Sequence, residues 1–168
     1  MQLEQIANIA EVIGLLMVAI TLIFLTVQMR QNTKALHSTT AHAVHEQTSN
    51  LYRELSLHES LADVWQRGMK DPSNLTPVET VRFISYWHAS ILPVQNWYYQ
   101  WREGVLDEAF WESWARVVTD VNQTPGFAFF WEQRKKYYSD EFRQFMESEL
   151  FTKAPDPDYR PLGTTMDE

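Results

Sequence analysis

His42, His45 and Glu46 stand at i, i+3 and i+4, a spacing that brings three side chains to one face of a helix. Two imidazoles and a carboxylate placed in this way can supply two or three ligands to a divalent metal, and the enzyme they would serve is a metal-dependent one. The rest of the chain does not extend that set. There is no HExxH and no Glu-x-x-His pair for a carboxylate-bridged di-iron site, and His37, His58 and His88 fall at unrelated spacings. A polar helix face is the plainer reading, and we expect no metal and no cofactor. Other chemistries find less support. No glycine-flanked serine elbow appears. Among only five glycines there is neither a GxGxxG nor a Walker pattern. The absence of cysteine excludes disulfides, thiolate nucleophiles and Cys-ligated zinc or iron–sulfur sites. We therefore expect a protein that is not an enzyme.

The second chemically suggestive residue is Glu11, inside the run IANIAEVIGLLMVAITLIFLTVQMR from Ile6 to Arg30. A carboxylate in an apolar helix is either a working proton or cation site or a boundary residue whose head reaches water. As a helix the run measures about 36 Å, against a hydrocarbon slab of roughly 30 Å, so its length fits a transmembrane span. With Val12–Val27 centred in the slab, Glu11 sits about 13 Å from the midplane, near the interface, where burial costs little. The boundary reading is favoured. The alternative is a polar pore or interfacial site in a homo-oligomeric ion pathway lined by Asn8, Glu11 and Gln28.

Within the run two faces invite helix association. Ile6, Ile9, Ile13, Leu16, Ile20, Ile23 and Val27 recur at steps of three and four, as a and d positions do. Ala7, Ala10, Gly14 and Thr21 form a small-residue stripe that permits close backbone approach. No basic n-region precedes the run and no small-x-small site follows it closely, so the segment is expected to stay in the mature chain. Arg30 and Lys34 come next, with no acid before Glu46. By the positive-inside bias they mark the cytoplasmic side, with the N-terminus outside.

The elements downstream read as helices. QNTKALHSTTAHAVHEQTSNLYRELSL has no proline or glycine, and the seam runs on loosely through Ala41, Val44, Leu51 and Leu55. After a weak point at Ser56–Ser60, a short helix carries Leu61, Val64, Trp65 and Met69, with Gly68 and Asp71-Pro72 as its stop. Thr76, Pro77 and Glu79 form a capping box that opens a helix bearing Phe83, Trp87, Ile91, Val94 and Trp101, with Pro93 inside it and Gly104 closing it. Asp107, Thr124 and Ser139 cap three further helices, the last running through Phe142, Met146 and Phe151. No window alternates with period two. The fold class is all-α: an N-terminal transmembrane helix continuing into a long helix, followed by an aromatic-rich helical bundle. The boundaries drawn are 1–30 for the anchor, 31–58 for a juxtamembrane helix, 59–151 for the bundle and 152–168 for a mobile acidic tail.

The formal charge of −8 argues against nucleic acid, whose phosphates require a basic face. Aromatics make up 14% of the chain, including seven tryptophans. Core packing is the first explanation of these stripes, with an aromatic-lined cavity for a lipid or other hydrophobic ligand as the second. Arg134-Lys135-Lys136, the only cationic run, is read as a solvated helix face, with anionic headgroups as the alternative contact.

At ANIAEVIG (7–14), VQMRQNTKAL (27–36), LTPVETVRF (75–83) and YYQWREGVLDEAFWESW (98–114) the chain resembles a family of bacterial single-pass inner-membrane proteins with a helical cytoplasmic domain. The likeness covers Ile6 to about Phe151. It brings no catalytic residue; what it implies is the bacterial inner membrane and a helical cytoplasmic part. The expected function is that of a membrane-anchored assembly or accessory subunit, with membrane lipid around it and either a homo-oligomer or other membrane-complex subunits as partners.

Overall fold

A computed structural model describes residues 2–162, with side chains from Gln5 onward. Met1, the side chain of Glu4 and residues 163–168, the end of the expected tail, lie outside the described residues. Six α-helices, and among the described residues no strand, make up the fold: α1 (Gln2–Leu57), α2 (Glu59–Lys70), α3 (Pro77–Arg102), α4 (Glu108–Val121), α5 (Pro125–Arg134) and α6 (Asp140–Phe145). α1 is uninterrupted, as the lack of helix breakers after Arg30 predicts. The chain divides into two units, Met1–Thr39 and Thr40–Glu168.

The first unit is a helix without a core. Its large apolar side chains are exposed, from 47% at Leu25 and Val27 to 70% at Met29. The second unit holds all of the core and takes in Thr40–Leu57 of α1. Along that segment Val44 is fully buried, and Ala41, Leu51 and Leu55 are half-buried, so the seam read from the sequence is the face that packs.

Caps set the remaining helix starts. Thr76 accepts from the Glu79 N–H at 3.3 Å while the Glu79 carboxylate accepts from the Thr76 N–H at 2.8 Å, satisfying two donors that a helix end leaves open. Asp107, Thr124 and Ser139 accept in the same way from Ala109, Phe127 and Phe142. α3 runs through Pro93. Gly104, at φ 70°, turns the chain out of α3 in a conformation that costs glycine little. α6 is followed by a π turn, Met146–Leu150, which buries both of its end residues.

Gly68 plays a different part from the stop signal expected. It lies inside α2, which ends two residues later, and a Cβ there would meet the Phe83 ring at 2.6 Å. A Cβ on Gly126, in the first turn of α5, would meet the Gly68 carbonyl oxygen and the Met69 Cα at 2.6 Å. The bare Cα of Gly126 therefore allows α5 to touch the α2 backbone, and that of Gly68 makes room for the Phe83 ring.

Arg67 of α2 ties the capping box to its neighbour, donating to Glu79 at 2.5 Å and to Asp63 at 2.7 Å. These Arg67 hydrogen bonds, reinforced by the Thr76 N–H, hold the Glu79 carboxyl down at about 2 against its ordinary 4.5. A carboxyl whose pKa falls on folding contributes stability fully above its unfolded value and loses it as pH drops through the folded one. The bundle should therefore weaken between about pH 4.5 and 2. Glu79→Gln should flatten that part of the profile, as read by urea denaturation followed by circular dichroism. An unchanged profile would remove Glu79 from the account.

Gly126→Ala should cost about 1–3 kcal/mol through overpacking. Gly68→Ala should cost less, because what its Cβ would meet is the Phe83 ring, which can turn, and not a backbone. Equal or improved thermal stability of Gly126→Ala would disprove the backbone contact.

Candidate functional site

Within the Thr40–Glu168 unit, four helices and the returning tail enclose a cavity of about 350 Å³. α1 contributes Thr48, Leu51, Tyr52 and Leu55, and α2 contributes Trp65 and Met69. From α3 come Tyr86, Trp87, Ser90, Ile91 and Val94, and from α4 Trp114, Val117, Val118, Asp120 and Val121. Tyr159, Arg160 and Leu162 of the tail complete the lining.

The space exists because helices of different character meet there. α3 brings large rings, of which Trp65 of α2 meets Tyr86 at 5.0 Å and Trp87 at 4.7 Å. The facing stretch of α1 offers aliphatic and hydroxyl side chains, with Val44 buried in the core. The Tyr86 hydroxyl donates to the Leu51 carbonyl at 2.6 Å, and the His45 ring stands edge-on to Phe110 at 5.7 Å. Burial pushes the Tyr86 phenol up, so it stays a donor at physiological pH.

Against expectation, the tail described up to Leu162 returns to the bundle. The Asp156 N–H donates to the Asp120 carboxylate at 2.8 Å, and Tyr159 is half-buried. Burial, with Asp120 and Tyr52 adding to it, raises the Tyr159 phenol. The signal was present in the composition: Tyr159 and Leu162 are large apolar residues in an otherwise polar stretch.

The residues singled out from the sequence fall as follows. His42, His45 and Glu46 are exposed, and among the described residues no group of three metal-ligating side chains converges. His45 is engaged with Phe110. Arg134 ends α5 and Lys135-Lys136 open a 3₁₀ turn: Lys135 reaches Glu132 at 2.6 Å, and Arg134 and Lys136 lie over the Tyr137 ring.

In the first unit Asn8, Glu11, Gln28, Arg30 and Lys34 are all exposed. At about 100° per residue, Glu11 lies roughly 160° around α1 from the middle of the Ile6–Val27 seam, and beside the Ala7, Ala10, Gly14 and Thr21 stripe. Gln28 falls about 100° from Glu11, so a straight α1 does not bring Asn8, Glu11 and Gln28 onto one line. No side chain fills the space beside Gly14. The hydroxyls of the run are internally paired: Thr21 donates to the Met17 carbonyl and Thr26 to the Leu22 carbonyl, each at 2.8 Å. Among the described residues, this helix is the one long and apolar enough to cross a membrane.

Because Tyr86 holds Leu51 through one hydrogen bond, Tyr86→Phe should destabilise the bundle by about 1 kcal/mol. It should also speed amide hydrogen exchange over residues 48–57. Exchange unchanged in that stretch would show that the bond does not secure it.

Comparison with protein-family models, with curated proteins and with solved structures finds no match, so the functional reading rests on the two units themselves.

Proposed function

We propose that the chain is a non-enzymatic, membrane-anchored assembly or accessory protein of the bacterial inner membrane, with its N-terminus outside and the helical bundle in the cytoplasm. The observation that carries this reading is the exposed apolar surface of Ile6–Val27, which has no protein cover of its own. Water is a poor solvent for such a surface, and lipid is a good one. The internal pairing of Thr21 and Thr26 supports it, since a hydroxyl already bonded to the preceding turn makes no demand on hydrocarbon. Arg30 and Lys34 at the end of the run support the orientation.

Assembly is supported by two faces that differ in what they imply. Packing through the Ile seam turns Glu11 away from the helix contact, whereas packing through Ala7, Ala10 and Gly14 brings it alongside. The acid therefore has a role in assembly only in the second arrangement, which is also the one that an ion pathway through Glu11 requires.

The chain has no cysteine, so introduced thiols report alone. Under mild oxidation in membranes, Ile13→Cys and Ile20→Cys should give disulfide-linked dimers while Val18→Cys and Leu22→Cys, on the opposite side, do not. Crosslinking at Ala10→Cys and Gly14→Cys instead would select the small-residue face. A particle extracted under gentle conditions with the mass of a single chain and no partner would refute the assembly reading. Release of the protein by alkaline carbonate would refute the anchor.

A further inference from the structure

The interior and the mouth of the cavity differ in chemistry. Inside, the hydroxyls are already paired: Thr48 donates to the Val44 carbonyl at 2.9 Å, Ser90 to the Tyr86 carbonyl at 2.8 Å, and Tyr86 to the Leu51 carbonyl at 2.6 Å, while the buried Trp87 indole N–H of the lining has no partner among the described residues. What remains is apolar wall. Apart from the Trp87 N–H nothing there asks a guest for a hydrogen bond, and most polar groups it carried inward would lose their water without return. The volume of about 350 Å³ is more than twice the roughly 150 Å³ of an engineered apolar cavity that takes benzene.

At the mouth, where Tyr52 and Arg160 are exposed and Tyr159 is half-buried, the unused groups are donors. Arg160 donates only to the neighbouring Tyr159 carbonyl, at 3.1 Å, and no described carboxylate pairs with it. The Tyr52 and Tyr159 hydroxyls have no partner among the described residues, and Tyr159 is held in its protonated, donating form by burial. The one acid in the lining, Asp120, accepts from the Asp156 N–H and keeps its negative charge, so an anionic head has to sit on the Arg160 side of the mouth. An acyl-sized apolar interior below a donor-rich mouth matches a molecule with an apolar chain and an acceptor-rich head.

We propose that this cavity binds a fatty-acid-class amphiphile, with its single acyl chain inside and its carboxylate at Arg160, Tyr52 and Tyr159. The tail, pinned to α4 through Asp156 and Asp120, closes over the bound chain. The site lies wholly within the Thr40–Glu168 unit and does not depend on how the first unit is anchored.

The test uses the full chain in lipid nanodiscs and a diazirine-bearing dodecanoate as the probe. After irradiation, label should map to α3 and α4 peptides containing Ile91 and Val117. Excess dodecanoate should compete it away and dodecyltrimethylammonium should not. Arg160→Gln should reduce labelling of those peptides about fivefold or more. Val117→Trp, a substitution at a half-exposed position of the mouth, should block it with the circular dichroism spectrum unchanged. Label confined to Ile6–Val27, equal competition by the cationic amphiphile, or cavity labelling undiminished in both variants would each overturn the proposal. A diazirine-bearing phospholipid that labels the cavity peptides as efficiently would overturn the assignment to a free carboxylate.

Discussion

Ring packing along α3 is the constraint on which the bundle depends. One side of this helix carries Phe83, Trp87, Trp97 and Tyr98, each at most 4% exposed. Rings of that size stay buried only if every neighbouring helix presents a ring or an aliphatic face to them. Trp87 stacks on Phe130 of α5 at 5.6 Å, Trp97 meets Trp114 of α4 at 4.8 Å, and Tyr98 meets Phe142 and Phe145 of α6 at 5.5 and 4.7 Å. The positions of α4, α5 and α6 follow from these contacts. The Trp87 indole N–H is left without a hydrogen-bond partner, at a cost of about 1–3 kcal/mol, which the surrounding ring burial has to offset.

Close approach elsewhere is bought with small residues and with satisfied polar groups. Gly68 and Gly126 bring α2 against α5, under the Phe83 ring, at a distance that side chains would forbid. Where indoles reach the edge of the core they find acids: Trp101 donates to Glu108 at 2.6 Å and Trp131 to Glu147 at 3.0 Å. Arg67 joins α2 to the start of α3 through Glu79. The stretch of α1 from Thr40 onward meets this ring-filled body with Val44, Leu51 and Leu55, which are smaller than the rings opposite. Space is left over, and the tail covers it with Tyr159 and Leu162.

The first unit obeys another rule. From Val12 to Val27 its residues are apolar or hydroxyl-bearing all round, their apolar side chains are exposed, and the Thr21 and Thr26 hydroxyls bond to the preceding turn. Such a helix is long and apolar enough to cross a membrane. On a surface without a polar stripe, Glu11 acquires meaning only from its angular position. It lies away from the isoleucines and beside the small residues, so in the proposed assembly the choice of packing face is also the choice of whether the carboxylate takes part.

Much of this was legible along the chain, because it is governed by neighbours in sequence. The all-α class, the capping box at Thr76, the caps at Asp107, Thr124 and Ser139, the break near His58 and the turn at Gly104 depend on local backbone donors and on dihedral preference. The packed face of α1 at Val44, Leu51 and Leu55 follows from helical periodicity. Other features depend on residues far apart in the chain. That Gly68 is a contact and not a stop required α5 beside it. That Tyr52, Arg160 and Asp120 share one cavity mouth required the tail to return across α4, and only the volume mismatch between α1 and the rings of α3 decided that a cavity exists there at all. Periodicity states which side chains turn inward; how well they fill the space between helices is a property of the three-dimensional packing alone.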